Sequence, residues 1–161
     1  MGWATYRLAT TRPAGLSHGA IDGGAGYTYL NPANRFEFSA VVGMTYNFVN
    51  PSTQYQSGID AHLDTAASYF LTKQLNVGLV GYYFQQISGD HGSGAQLGGF
   101  ESRVAGLGPQ LNYFFPVGDK IAGYVNVKAY REFAAENRPE GWNAWLTVSF
   151  SAAPPKKPEP Q

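Results

Sequence analysis

From Arg35 to Phe48 the chain alternates between two kinds of side chain. Phe36, Phe38, Ala40, Val42, Met44, Tyr46 and Phe48 fall on one parity, and Glu37, Ser39, Val41, Gly43, Thr45 and Asn47 on the other. Successive side chains of a strand point to opposite faces, so this is one long strand with an apolar face and a mostly small, polar face. Strands of soluble domains usually stop after about five or six residues. The length suits instead a strand that crosses a bilayer at a tilt, which takes about nine to eleven residues in the hydrocarbon plus some overhang.

The same period of two recurs down the chain. Trp3 to Thr10 alternates weakly, and Gly23 to Leu30 reads as a strand carrying Tyr27 and Tyr29. Gly58 to Thr72 sets Ile59, Ala61, Leu63, Ala67, Tyr69 and Leu71 against Asp60, His62, Asp64, Ala66 and Ser68. Leu75 to Ser88 is a strand whose facing stays open, because Val77, Leu79 and Tyr83 oppose Val80, Tyr82 and Phe84. Ser102 to Phe115 opposes Ala105, Leu107, Pro109, Leu111, Tyr113 and Phe115 to Val104, Gly106, Gly108, Gln110 and Asn112. Proline removes a ladder donor, so a bulge is expected at Pro109. Ile121 to Phe133 opposes Gly123, Val125, Val127 and Ala129 to Tyr124, Asn126, Lys128, Tyr130 and Glu132; Trp142 to Phe150 closes the series.

Turn chemistry marks the connections: loops over Thr11 to Asp22, Val49 to Ser57, Gly89 to Phe100 and Ala134 to Gly141, and tight turns at Asn31 to Asn34, Thr72 to Gln74 and Pro116 to Lys120. They alternate short and long. Membrane barrels have short periplasmic turns and longer external loops, which sorts the strands into up and down and puts the end of the last strand on the periplasmic side. The fold expected is all-β, an antiparallel transmembrane β-barrel represented by about seven or eight strands.

Composition narrows this further. The 161 residues make one domain or a piece of one, and formal net charge is zero, so no basic stripe points to nucleic acid. Aromatic residues make up 15% and charged ones 14%, with no run of about twenty apolar residues that a membrane helix would need. Cysteine is absent, which excludes disulfides and thiolate metal sites. Met1 to Arg7 shows no basic, then apolar, secretion signal, so a truncated start is expected, with residues 1–22 a partial strand and loop. Residues 23–150 would form the barrel strands, and 151–161 a disordered Pro- and Lys-rich tail.

Candidate chemistry gathers on the polar parity. Asp60, His62 and Asp64 bring two carboxylates and an imidazole to one face; such groups ligate metals, but in a row along one strand they span too far to share an ion. They read better as a polar lumen wall, together with Glu37, Gln110, Lys128, Tyr130 and Glu132, with Lys128 and Glu132 pairing to the acidic strand. Asp90 and Arg138 fall in loops. A lipid hydrolase is the competing class, but His62 is followed on its face by Asp64 rather than by a serine nucleophile. The glycines at 92, 94, 98 and 99 lack the Lys-Ser/Thr of a phosphate loop. No catalytic residue, cofactor or metal is expected. Aromatics such as Tyr69, Tyr113, Phe115, Trp142 and Phe150 lie near strand ends, as a membrane girdle requires, whereas a soluble barrel would bury them as core.

The ordered segments AIDGGAGYTYLNP (Ala20 to Pro32), EFSAVVGMTYNFVNPSTQYQSGIDAHLD (Glu37 to Asp64), GLVGYYFQQISGD (Gly78 to Asp90), SRVAGLGPQLNYFFPVGD (Ser102 to Asp119) and EFAAENRPEGWNAWLT (Glu132 to Thr147) resemble an outer-membrane barrel family assigned to the meta pathway of phenol degradation. The resemblance covers most of positions 16 to 150 and implies the C-terminal portion of a larger barrel. It implies a bacterial outer-membrane transporter or channel for small, aromatic or hydrophobic molecules. Its partners would be the lipid bilayer, the outer-membrane insertion machinery, which reads a final aromatic such as Phe150, and a small-molecule solute. The alternative is a structural barrel filled by its own side chains.

Overall fold

The computed structural model describes residues 7–9, 18–118 and 120–152. Eight strands form one sheet: β1 (Arg7–Ala9), β2 (Ala20–Asn31), β3 (Phe36–Asn47), β4 (Asp60–Phe70), β5 (Leu75–Gln86), β6 (Arg103–Val117), β7 (Ile121–Glu136) and β8 (Trp142–Ala152). Each strand pairs antiparallel with the next, in sequence order throughout. Two-residue periodicity produces this meander directly, because each strand has one face to bury and a short connection brings its successor alongside. The weak alternation after Trp3 yields only the three residues of β1; its other positions, like most of the loop expected over Thr11 to Asp22 and the tail from 153 onward, lie outside the described residues.

The sheet curls into a half-barrel. Side chains of one parity meet across non-adjacent strands: Asp22 of β2 with His62 of β4, Ser68 of β4 with Gln110 of β6, and Tyr82 of β5 with Glu132 of β7. That parity is the concave face. Among the described residues, β8 is paired on one side only, with β7.

Register settles the facing of β5. Leu63 pairs with Tyr83 and Ala66 with Val80, so Val77, Leu79 and Tyr83 are convex while Asn76, Val80, Tyr82, Phe84 and Gln86 are concave. The faces read from the alternation of β3, β4, β6, β7 and β8 are those observed.

Two expectations are corrected. The irregularity in β6 lies between Arg103 and Ala105, not at Pro109. At Pro109 the ladder with β7 breaks off after Leu107 opposite Arg131 and resumes in the same register at Gln110 opposite Lys128. A missing donor thus interrupts pairing without inserting a residue. β7 also continues to Glu136, three residues past the expected strand end at Phe133. The shift at Arg103 brings it opposite Glu136, and their side chains form an ion pair at 2.8 Å.

Polarity is inside out. Among the described residues, Val80, Val104 and Tyr130 are the buried hydrophobic ones, whereas Asn47, Ser68, Asn76, Gln86, Asn112 and Asn126 are buried polar ones, all nine on the concave face. On the convex face Val42 and Leu79 are each 58% exposed and Leu146 is 70% exposed. Outward aromatics collect near both ends of the strands. Phe36, Tyr69, Tyr113, Phe115 and Phe150 lie near the end of the short turns, and Tyr46, Phe48, Tyr83, Phe133 and Trp142 near the end of the long loops.

Candidate functional site

The trough is built from three tiers along the concave face. Nearest the short turns, Phe70 stacks with Phe114 at 6.4 Å between ring centres, and Phe114 meets Tyr124 at 5.0 Å. Register brings these together, because Phe70 lies opposite Asn76 of β5, and Phe114 lies directly opposite Tyr124.

The middle tier is a chain of amides. Asn112 donates to Asn76 and accepts from Tyr124 at 2.7 Å and from Asn126 at 2.6 Å. Asn126 also reaches Gln110 at 3.4 Å, and Gln110 donates to the Ser68 hydroxyl at 2.7 Å. The belt crosses β4 to β7, so hydrogen bonds offset the cost of withdrawing these amides from water. Among the described residues no buried side-chain nitrogen or oxygen is left without a partner. Of this belt only Gln110 is among the lumen-wall residues expected from sequence. The signal for the rest was the run of amides at alternate positions, Gln110 and Asn112 on one strand and Asn126 on the next.

Toward the long loops the wall carries its charges. His62 Nε2 lies 3.1 Å from Asp22 and its Nδ1 3.5 Å from Asp64. Gly43 sits directly opposite His62, and a Cβ there would stand 2.5 Å from Nε2, so the glycine makes room for the ring. Asp22 also accepts from Thr45 at 2.6 Å. Asp60 accepts from Asn47 at 2.9 Å. The triplet thus divides. His62 joins strands β2 and β4 through Asp22, which lies in β2 rather than at the end of the loop expected over Thr11 to Asp22.

The expected pairing of Lys128 and Glu132 with the acids of β4 does not form. β7 is separated from β4 by two strands, and Lys128 lies 5.5 Å from the Tyr130 ring centre, facing Asp64 and Ser39 across a cavity of about 200 Å³. Glu132 accepts from Tyr82 at 2.5 Å, from Asn143 at 3.3 Å and from the Gly141 amide at 2.9 Å. Tyr82 is held edge-on to Tyr130 at 5.0 Å. Glu37 lines the same face at the other end, beside the β2–β3 turn and opposite Leu30, and accepts from Ser39 at 3.3 Å.

The long loops fold over this end rather than standing free. Asp90 accepts from Tyr55, from Gln86 at 2.6 Å and from the Gly58 amide at 3.1 Å. Burial, together with the Asp90 hydrogen bond and charge, pushes the Tyr55 hydroxyl up to about 12. A cavity of about 400 Å³ lies among Tyr55, Ser57, Asp90, Phe100 and Asn137. Arg138 makes no loop-to-loop ion pair among the described residues; its guanidinium lies over the Phe84 ring at 5.1 Å, a cation–π contact.

The arrangement can bind and orient polar groups along a narrow polar wall. The polar contacts of the His62 ring are to the carboxylates of Asp22 and Asp64. No curated protein and no solved structure matches the chain. The model of the family described as "Putative MetA-pathway of phenol degradation" matches residues 4–148, and the chain belongs to that family.

Proposed function

We propose that the protein is part of a bacterial outer-membrane β-barrel that passes small molecules, and that it does so without covalent chemistry. The inside-out polarity carries this reading. Large apolar side chains such as Val42, Leu79 and Leu146 are exposed on the convex face, while six amide or hydroxyl residues are buried on the concave one. Water would penalise so continuous an apolar surface, whereas hydrocarbon would accept it. Two outward aromatic bands fit the levels where a bilayer meets water. On this reading the bilayer and the outer-membrane insertion machinery are partners, the transported solute is small and aromatic or hydrophobic, and nucleic acid is not a partner.

A second reading is favoured by the amide belt. Ser68, Gln110, Asn112, Asn126 and Asn76 fill the middle of the trough with their own hydrogen bonds, as a structural barrel would. Permeation decides between them. Protein reconstituted in vesicles should release small solutes, and an Asp60→Asn/Asp64→Asn variant should alter the charge preference of that release. No release from either protein would favour the structural barrel, and lipid hydrolysis by the wild type would overturn the non-catalytic reading.

A further inference from the structure

A further cavity lies at the short-turn end of the trough, away from Asp22, His62 and Asp64. It measures about 610 Å³ and sits between the β2–β3 and β4–β5 turns, lined by Leu30, Pro32, Phe70 and Leu71 together with Arg35 and Lys73. That volume is in the range of sites for small organic ligands, roughly 300 to 1,000 Å³. Leu30 and Leu71 are 54% and 48% exposed, so apolar surface is left uncovered there. Neither Arg35 nor Lys73 has an ion-pair partner among the described residues.

Both turns are braced by hydrogen bonds. Asn31 caps the first by accepting from the Asn34 amide at 3.1 Å, and the Arg35 carbonyl accepts from the Phe70 amide at 2.8 Å. Thr72 caps the second by accepting from the amides of Gln74 at 3.1 Å and Leu75 at 3.0 Å. The two cations thus project from hydrogen-bonded turns beside an apolar floor, so ordering on binding falls mainly on their side chains.

We infer that this cavity is a binding site for a small water-borne amphiphile with one anionic head and a compact apolar body. The head is held by Arg35 and Lys73, and the body rests on Leu30, Phe70 and Leu71. Arginine and lysine both bind carboxylates, and the ligand would supply the counter-charge that the protein leaves out. A bilayer lipid is the poorer occupant, because two of the three floor residues, Leu30 and Phe70, belong to the concave parity, and only Leu71 continues the convex one. The site does not depend on conduction through the trough.

The test uses the protein in zwitterionic phosphatidylcholine nanodiscs, with 4-fluorobenzoate titrated and followed by fluorine NMR. Binding to the wild type is expected, weakened about tenfold in Arg35→Gln/Lys73→Gln, or about 1.4 kcal/mol. Leu71→Asn, on an exposed turn, should weaken it about threefold, and 4-fluorobenzyl alcohol should bind at least tenfold less tightly than the acid. Four results would overturn the inference: no binding to the wild type, equal binding to the charge-neutral variant, inorganic phosphate competing as well as the acid, or loss of the site in phosphatidylglycerol nanodiscs. Binding without solute release would remove the conduit and keep the site; release without binding would do the reverse.

Discussion

Replacing Asn112 by alanine withdraws the hub of the amide belt. Asn112 is 4% exposed, and the groups it satisfies include Asn76 at 1% and Asn126 at 5%. Its loss leaves the Asn76 oxygen without its donor and reduces Asn126 to the long 3.4 Å contact with Gln110. Tyr124 also loses its acceptor, but that hydroxyl is only partly buried and water can replace the bond. Each orphaned buried polar group costs about 1–3 kcal/mol, so two give roughly 2–6 kcal/mol. Water entering the space vacated by the amide pulls the expectation toward the lower half, about 3 kcal/mol. Urea unfolding of protein folded into vesicles, followed by tryptophan fluorescence, measures this directly. Thr147→Ala serves as reference, since Thr147 shares the concave parity but is exposed, and it should shift stability by no more than about 0.5 kcal/mol. An Asn112→Ala protein as stable as the Thr147→Ala one would show that the belt is ornamental to stability, and that water already satisfies those amides in the wild type.

Val42→Arg and Leu111→Arg each put a cation in the middle of the convex apolar face, where about 2–4 kcal/mol is the expected cost in lipid. Heat-modifiable migration after assembly into membranes should be lost or much reduced for both, and normal assembly of both would contradict lipid against that face. The Tyr55 clasp responds to alkali. The folded hydroxyl is raised from 10.0 to about 12, so its contribution is complete below about pH 10 and fades as pH rises through about 12. Proteolysis of the 48–59 loop should accelerate across that window in the wild type and show no such step in Tyr55→Phe; a step of equal size in both would assign it to another group.

Strand existence and facing were legible because a period of two is a local property. Val42, Leu63, Leu111 and Val148 announce their face from their immediate neighbours alone. β5 resisted because both of its parities carry large apolar groups. Val80 and Phe84 are as hydrophobic as Leu79 and Tyr83, and only the register with β4 and β6 places the former inside. The bulge expected at Pro109 failed for a related reason. Proline specifies the loss of a donor, but whether the ladder answers by inserting a residue or by skipping two pairs is decided by the partner strand.

The side-chain partners were less legible because they depend on the curl of the sheet. His62 and Asp64 are neighbours on one strand, yet the shorter contact of the imidazole is with Asp22, 40 positions earlier, through a strand intervening between them. Lys128 and Glu132 illustrate the converse. Their charges suggest attraction to β4, but the curl sets Lys128 across a cavity from Asp64 and gives Glu132 to Tyr82 and Asn143. Curvature also explains why the two ends of the trough differ. At the loop end, folded-in loops bring hydrogen-bond donors to Asp90 and Glu132. At the turn end, connections as short as residues 32–35 and 71–74 fold nothing back over the wall, so Arg35 and Lys73 keep their charge unmatched. Loop length, fixed by the sequence, thus decides which rim of the trough satisfies its own charges and which presents them to a ligand.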